Sequence, residues 1–106
     1  MLSGSIADVN QDLLRAINRR NLIEFVYKTG GSRIAEPHDY GIRKGTERLL
    51  TYQISGASSS RSSHGWKELV IADIHQLRVL DRKFRGTRAD ASQHHCDWDV
   101  LFARVE

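Results

Sequence analysis

The stretch from Leu13 to Tyr52 constrains the fold most, because a helical pattern passes directly into strand patterns there. In residues 22–28 apolar and polar side chains alternate, which predicts a strand. The preceding residues predict a helix over 5–21 with one apolar face. The apolar positions that recur at helical spacing are Val9, Leu13, Leu14, Ala16 and Ile17.

Four further short strands are predicted, at residues 33–36, 48–54, 66–72 and 74–80. Gly30 and Gly31 predict the first hairpin turn, because glycine readily adopts the positive φ that tight hairpins need. Pro37 has no N–H to donate, so the return strand should end or bulge there. Residues 43–47 predict a second polar turn. Five short strands with close turns indicate a mainly β fold, a small SH3-like β-barrel with an N-terminal helix.

The C-terminal part of the chain leaves two structures open. Trp98, Leu101, Phe102 and Val105 recur at the spacing of a short helix docked on the barrel, but Val100, Phe102 and Val105 equally suit a strand. The chain of 106 residues is expected to form a single domain, 1–106, with the helix at 5–21, the barrel at 22–81 and an extension at 82–106. Residues 55–65 are rich in Ser and Gly and predict a mobile loop.

Composition narrows the class of protein. No apolar run approaches the roughly 20 residues of a membrane span, and the N-terminus lacks the pattern of a signal peptide. Cys96 is the single cysteine, so no internal disulfide can form. We therefore expect a cytoplasmic protein that does not bind a membrane.

The charge is unevenly distributed along the chain. Residues 15–88 hold 15 of the 16 Lys and Arg residues against 7 of the 13 acidic ones, a net charge of +8, and both flanking segments are acidic. A basic segment of this kind attracts phosphates and other anions if its charges cluster in space. The alternative is that the charges are spread over a solvated surface.

Several short motifs resemble a WYL domain when they are taken in order. They are Leu13-Leu14-x-Ala16-Ile17, Arg19-Arg20, a strand that ends in Tyr27, Arg33-x-x-Glu36-Pro37, and Leu77-x-Val79-Leu80-Asp81. The resemblance covers roughly residues 10–84. It implies an SH3-like or Sm-like barrel with an N-terminal helix, of the kind found in bacterial transcription regulators, where such domains are thought to sense nucleic acid or nucleotides. Val70 and Asp73 stand where that family carries arginines.

Six residues on or beside the predicted strands are candidates for binding an anionic ligand: Arg33, Arg43, Lys44, Arg48, Tyr52 and Lys67. Guanidinium groups pair with phosphate through two hydrogen bonds, and a tyrosine ring can stack on a base. The alternative for Tyr52 is a core or edge role, and for the cations a solvated face. The basic run 82–88 has two interpretations, a contact for a nucleic-acid backbone or a linker whose charges pair with Asp97 and Asp99, and we favour the linker.

Enzymatic and metal chemistry find little support in the sequence. His94, His95, Cys96 and Asp97 are consecutive, whereas zinc ligands are generally separated by two or more residues. No nucleophile elbow or phosphate loop occurs. We therefore expect a non-enzymatic binding or regulatory module without a cofactor, with nucleic acid or a nucleotide as its partner. The alternative is a protein-interaction module or a homodimer without a small ligand.

Overall fold

A computed structural model describes residues 6–57 and 64–106 of the protein. One helix is followed by six strands. They are α1 (Ile6–Arg19), β1 (Asn21–Tyr27), β2 (Ser32–Arg43), β3 (Thr46–Gly56), β4 (Gly65–Val70), β5 (Ile74–Lys83) and β6 (Val100–Arg104), with single-turn 3-10 helices at Ile71–Asp73 and Ala91–Gln93. The mainly β class with an N-terminal helix is confirmed.

The strands form one antiparallel sheet in the order β4-β3-β2-β1-β5, and β6 pairs with β2 away from this path. Strand β2 is the centre of the sheet. Its first half pairs with β1, its second half pairs with β6, and β3 pairs along almost its whole length. The register against β3 shifts between Pro37 and Asp39, which confirms the bulge predicted at Pro37. Bulges bend a strand and increase its twist. Strand β2 can therefore pair with β1 and then with β6 along the same edge, and the sheet becomes barrel-like.

Residues 100–104 form a strand, so the strand is the correct one of the two structures that the sequence left open, and the described sheet has six strands instead of the five predicted. The reason is tertiary pairing. Tyr40 lies opposite Ala103, and Ile42 lies opposite Val100. The helical spacing of Trp98 and Leu101 is coincidental, because Trp98 precedes the strand and its ring lies close to the Cα of Gly41.

The core lies between α1 and the inner face of the sheet. The predicted core residues Phe25, Leu50 and Leu69 are all buried. Phe25 and Leu69 belong to the main cluster with Leu13, Ala16, Ile17, Ile23, Ala35, Tyr40, Leu49, Ile71, Ile74 and Val105. Val105 follows β6 directly, so the C-terminal strand is fixed to the same core as the helix.

Both predicted hairpin turns are present, but the first uses a different residue for its positive φ. Lys28 has a φ of 56°, whereas Gly30 and Gly31 do not lie in the left-handed region. The expectation that the paired glycines supply this conformation is therefore wrong. In the second turn Lys44 and Gly45 have φ angles of 53° and 75°, as a two-residue type I′ hairpin requires.

Much of the predicted mobile loop at 55–65 lies outside the described residues, and its first two residues, Ser55 and Gly56, belong to β3. Within residues 6–57 and 64–106, the helices are too short and too polar to cross a membrane.

Candidate functional site

Arg43 and Arg48 come together because β2, β3 and β4 are neighbours, but an acid lies between them. The Nη1 atom of Arg43 donates to Glu68 at 2.9 and 3.2 Å, and Nη1 of Arg48 donates to the same carboxylate at 3.2 Å. All three side chains are partly buried. Glu68 offsets half of the positive charge of this pair, which weakens the surface as an anion site.

Lys44 and Arg33 do not join that pair. Lys44 is exposed at the tip of the β2–β3 hairpin, where its backbone N–H donates to Oδ2 of Asp99 at 2.7 Å. Arg33 lies at the opposite end of β2 and is buried. Its guanidinium carbon lies 5.2 Å from the centroid of the Tyr27 ring, and its Nη1 atom donates a long hydrogen bond of 3.4 Å to Gln53. These four cations therefore do not form one surface.

Tyr52 and Lys67 lie on different faces of the sheet. Tyr52 is opposite Trp66, and these rings meet edge to face at 5.4 Å. Lys67 is opposite Thr51, a buried residue whose hydroxyl donates to the Lys67 carbonyl at 3.1 Å. Tyr52 thus lies on the face of the sheet that the basic run 82–88 contacts through Arg88.

Arg88 is the link between this run and the sheet. Its Nε and Nη2 atoms donate to the two carboxylate oxygens of Glu36 at 2.8 and 2.9 Å. Its guanidinium carbon lies 3.5 Å from the centroid of the Tyr52 ring, a cation–π contact. Burial would raise the pKa of the Glu36 carboxyl, but hydrogen bonds from His38 and Arg88 outweigh burial and lower it. The hydrogen bond to Glu36 raises the pKa of Arg88.

His38 supports Glu36 from inside the protein. Its Nε2 atom lies 3.1 Å from Oε1 of Glu36, and the imidazole is fully buried. The ring contacts Trp66 edge to face at 4.7 Å and Phe84 at 5.6 Å. The Glu36 carboxylate is therefore held on one side by a packed histidine and on the other by Arg88.

A cavity of about 560 Å³ opens where the segment 82–90 leaves the sheet. Its lining residues are Leu22, Glu36, Ile54, Arg82, Lys83, Phe84, Arg85, Gly86, Thr87, Arg88, Ala89 and Asp90. Lys83 donates through Nζ to the Arg19 carbonyl at 2.8 Å and to the Asn21 side chain at 3.1 Å. Among the ion pairs that the described residues form, none involves Arg82 or Arg85.

The interpretation of 82–88 as a linker paired with Asp97 and Asp99 is wrong for Arg88. Its partner is Glu36, while Asp99 accepts the Lys44 N–H. The run thus forms part of the lining of a cavity whose charge is mainly positive, and Leu22, Ile54 and Phe84 contribute apolar side chains to that lining.

A second buried acid, Asp39, holds the segment after Arg88 against the sheet through Trp98 and Arg104. Asp39 is fully buried and accepts two hydrogen bonds of 3.0 Å from Arg104 and one of 3.3 Å from the Trp98 indole. His94 stacks on Trp66 at 4.7 Å, and the Trp66 indole donates to Asp90 at 3.1 Å, which lowers the pKa of Asp90. The hydrogen bond from Trp66 thus holds Asp90, one of the residues that line the cavity.

Metal and thiol chemistry gain no support from this arrangement. In the part of the chain that the structure describes, no three His, Cys, Asp or Glu side chains are grouped so that they could hold a metal ion. Burial raises the pKa of the Cys96 thiol, which disfavours the nucleophilic thiolate.

These features define a small barrel-like antiparallel domain with an N-terminal helix and a basic cavity at the end of its fifth strand. Neither a protein-family profile nor a curated protein matches the sequence. A similar solved structure is proteasome accessory factor B/C (PafBC) of Arthrobacter aurescens, with a TM-score of 0.60 and 18% sequence identity. The match covers 84% of this chain and 14% of PafBC, so the chain corresponds to a small part of that protein. At this identity the likeness shows the fold alone.

Proposed function

We propose that the protein is a non-enzymatic binding module of WYL type, with a regulatory role, and that it takes an anionic ligand such as a nucleotide or a nucleic-acid strand. The order of sequence motifs supports the WYL type, and the helix with its barrel-like sheet is compatible with it. The observation that carries the proposal is the cavity at 82–90, where Arg82 and Arg85 form no ion pair with a described acid.

The cavity suits a phosphate attached to a larger group. Its volume of about 560 Å³ lies within the roughly 300–1,000 Å³ of small-molecule sites. Two guanidinium groups without acid partners can each donate to a phosphate through paired N–H groups. The apolar side chains of the lining offer contact area to a nucleobase or another flat group.

The ion pair between Arg88 and Glu36 preorganises the cavity for a ligand. It fixes the chain just after Arg85, so that little conformational freedom remains to be lost when the ligand arrives. Tyr52 contributes indirectly in this scheme, because its ring supports the Arg88 guanidinium.

The surface around Arg43, Lys44 and Arg48 is the rival location for the same class of ligand. It is more open, but Glu68 already occupies both arginines. Comparing charge reversals at the two places separates them.

The test is fluorescence anisotropy with a labelled nucleotide and a labelled single-stranded oligonucleotide at low salt. Arg82→Glu with Arg85→Glu should weaken binding by about tenfold or more, and added salt should weaken the wild type. The matched double reversal, Arg43→Glu with Lys44→Glu, should leave the dissociation constant nearly unchanged. The opposite order of effects would place the ligand at the surface around Arg43, Lys44 and Arg48. If neither probe binds wild-type protein at high micromolar concentration, the anionic-ligand function fails.

A further inference from the structure

Strand β6 presents three consecutive large apolar side chains to solvent. Val100, Leu101 and Phe102 are 46%, 40% and 44% exposed, and they are the exposed large hydrophobic residues of the described chain. Neighbouring residues of a strand point to opposite faces, so β6 is apolar on both faces. Within residues 6–57 and 64–106, β6 pairs with β2 alone, which leaves its other edge without a strand partner.

Edge strands usually carry features that prevent pairing with other chains, such as charged side chains, proline or very short length. Strand β5 has such features, because Arg78, Asp81, Arg82 and Lys83 lie along it. Residues 100–103 of β6 include neither a charge nor a proline. The β6 edge therefore lacks the features that protect β5 from pairing, and it can accept another strand.

The charges at the two ends of β6 select the partner and its direction. Asp97 and Asp99 precede the strand, and Arg104 ends it. If a second copy pairs antiparallel about a two-fold axis, the acidic end of each strand lies beside the basic end of the other. Parallel pairing would bring like charges together. Arg104 uses Nε and Nη2 for Asp39, and its guanidinium has further N–H groups to donate.

A groove beside β6 extends the contact. It is lined by Asn10, Gln11, Leu14, Tyr40, Glu47 and Phe102, between the helix and the β2–β3 hairpin. The Phe102 ring packs on Tyr40 at 5.0 Å and forms one wall. The Oδ1 atom of Asn10 is buried and has no hydrogen-bond partner, so it is an acceptor that an incoming polar group can satisfy.

We infer that the protein forms a two-fold homodimer in which the β6 strands of two copies pair antiparallel and continue the sheet across the axis. The isologous contact is closed, so it yields a dimer and not a filament. Five residues of strand cover less than the roughly 1,200–2,000 Å² that stable complexes bury, and the groove adds only part of the difference. The dimer should therefore dissociate at micromolar concentrations.

Sedimentation velocity over a series of concentrations of the full chain tests the dimer. Wild-type protein should shift from monomer to dimer between low and high micromolar concentration. Val100→Lys and Leu101→Lys should each weaken association by about tenfold or more, because they place like charges beside the axis. Ala72→Lys adds the same charge at an exposed site outside β6 and should have no effect. Circular dichroism verifies that each variant is folded.

Cysteine cross-linking tests the pairing without a charged residue at the edge. In a Cys96→Ser background, cysteine is introduced singly at Val100, Leu101 and Phe102. A two-fold antiparallel pair places one of these positions opposite its own copy, so mild oxidation should yield a covalent dimer for that variant. A wild-type protein that stays monomeric at the highest concentration would overturn the inference. A dimer that persists in the lysine variants and is not cross-linked by any of the three cysteines would also overturn it.

Discussion

Arg88 and Glu36 are 52 residues apart in the chain and form a two-point ion pair with distances of 2.8 and 2.9 Å. Glu36 lies in the central strand, and Arg88 lies in the segment that forms the cavity wall. The shape of the proposed binding site therefore depends on one largely buried carboxylate.

Acid should destabilise the protein through Glu36. Its pKa in the folded state is lowered from an ordinary value of 4.5 by hydrogen bonds that outweigh burial. A lowered pKa contributes stability that is present above the ordinary value and is lost as pH falls through the folded-state pKa. Urea unfolding at about pH 6 and about pH 3 should show this loss. Glu36→Gln should be less stable at the higher pH and should show a smaller change between the two; an unchanged pH dependence would contradict this role.

Arg104→Ala should destabilise the protein by about 3 kcal/mol, because it leaves the Asp39 carboxylate buried without its guanidinium. Arg78→Ala is the matched control, since Arg78 pairs with Glu24 at 3.3 Å but its side chain is 72% exposed. That exposed pair should contribute less than about 1 kcal/mol. Chemical denaturation of both variants gives the comparison. Equal losses of stability would mean that the buried pair of Arg104 and Asp39 contributes no more than an exposed ion pair.

Gly41→Ala should displace β6. A Cβ atom at this position would collide with the carbonyl oxygen of Val100 and would lie 2.9 Å from the Trp98 ring. We expect a cost of about 1–3 kcal/mol and faster amide exchange in residues 100–104. Gly30→Ala is the control, because its nearest neighbour is the Tyr27 carbonyl oxygen at an ordinary 3.5 Å. Tolerance of both substitutions would show that β6 is not held tightly against β2.

Lys44→Asn should stabilise the protein by up to about 1 kcal/mol, because asparagine adopts the left-handed conformation more readily than lysine. Lys44 has a φ of 53° and precedes Gly45, and Asn-Gly is the preferred pair for this turn. Thermal unfolding measures the gain. Thr29→Asn, in a turn position without positive φ, should leave the melting temperature unchanged.

Local patterns were sufficient to predict the helix, five strands and much of the core. Alternation in residues 22–28 places Phe25 inside, and the structure buries it. Strand β6 could not be chosen over a helix, because its neighbour in space, β2, lies about 60 residues earlier. The left-handed turn residue also escaped prediction, since Lys28 adopts a conformation that the adjacent glycines favour more strongly.

The candidate site was harder to predict than the fold. The sequence makes Arg33 and Arg43 candidates for the same ligand, but ten residues of one strand separate them, a distance of roughly 30 Å if the strand is extended. The basic run 82–88 was visible in the sequence. Its partner Glu36 was not, because no local pattern links two residues across 52 positions. Burial of an acid in the central strand becomes evident only when the strands are assembled.

The position of β6 has a consequence for synthesis on the ribosome. The helix and the first five strands emerge before residue 100, and at that stage the second half of β2 has an open edge and the Asp39 carboxylate lacks Arg104. The last strand of this domain to pair is then β6, which joins segments distant in sequence, and such non-local pairings form slowly. In a nascent chain this domain should therefore remain open to chaperones and proteases until residues 100–104 have left the ribosome.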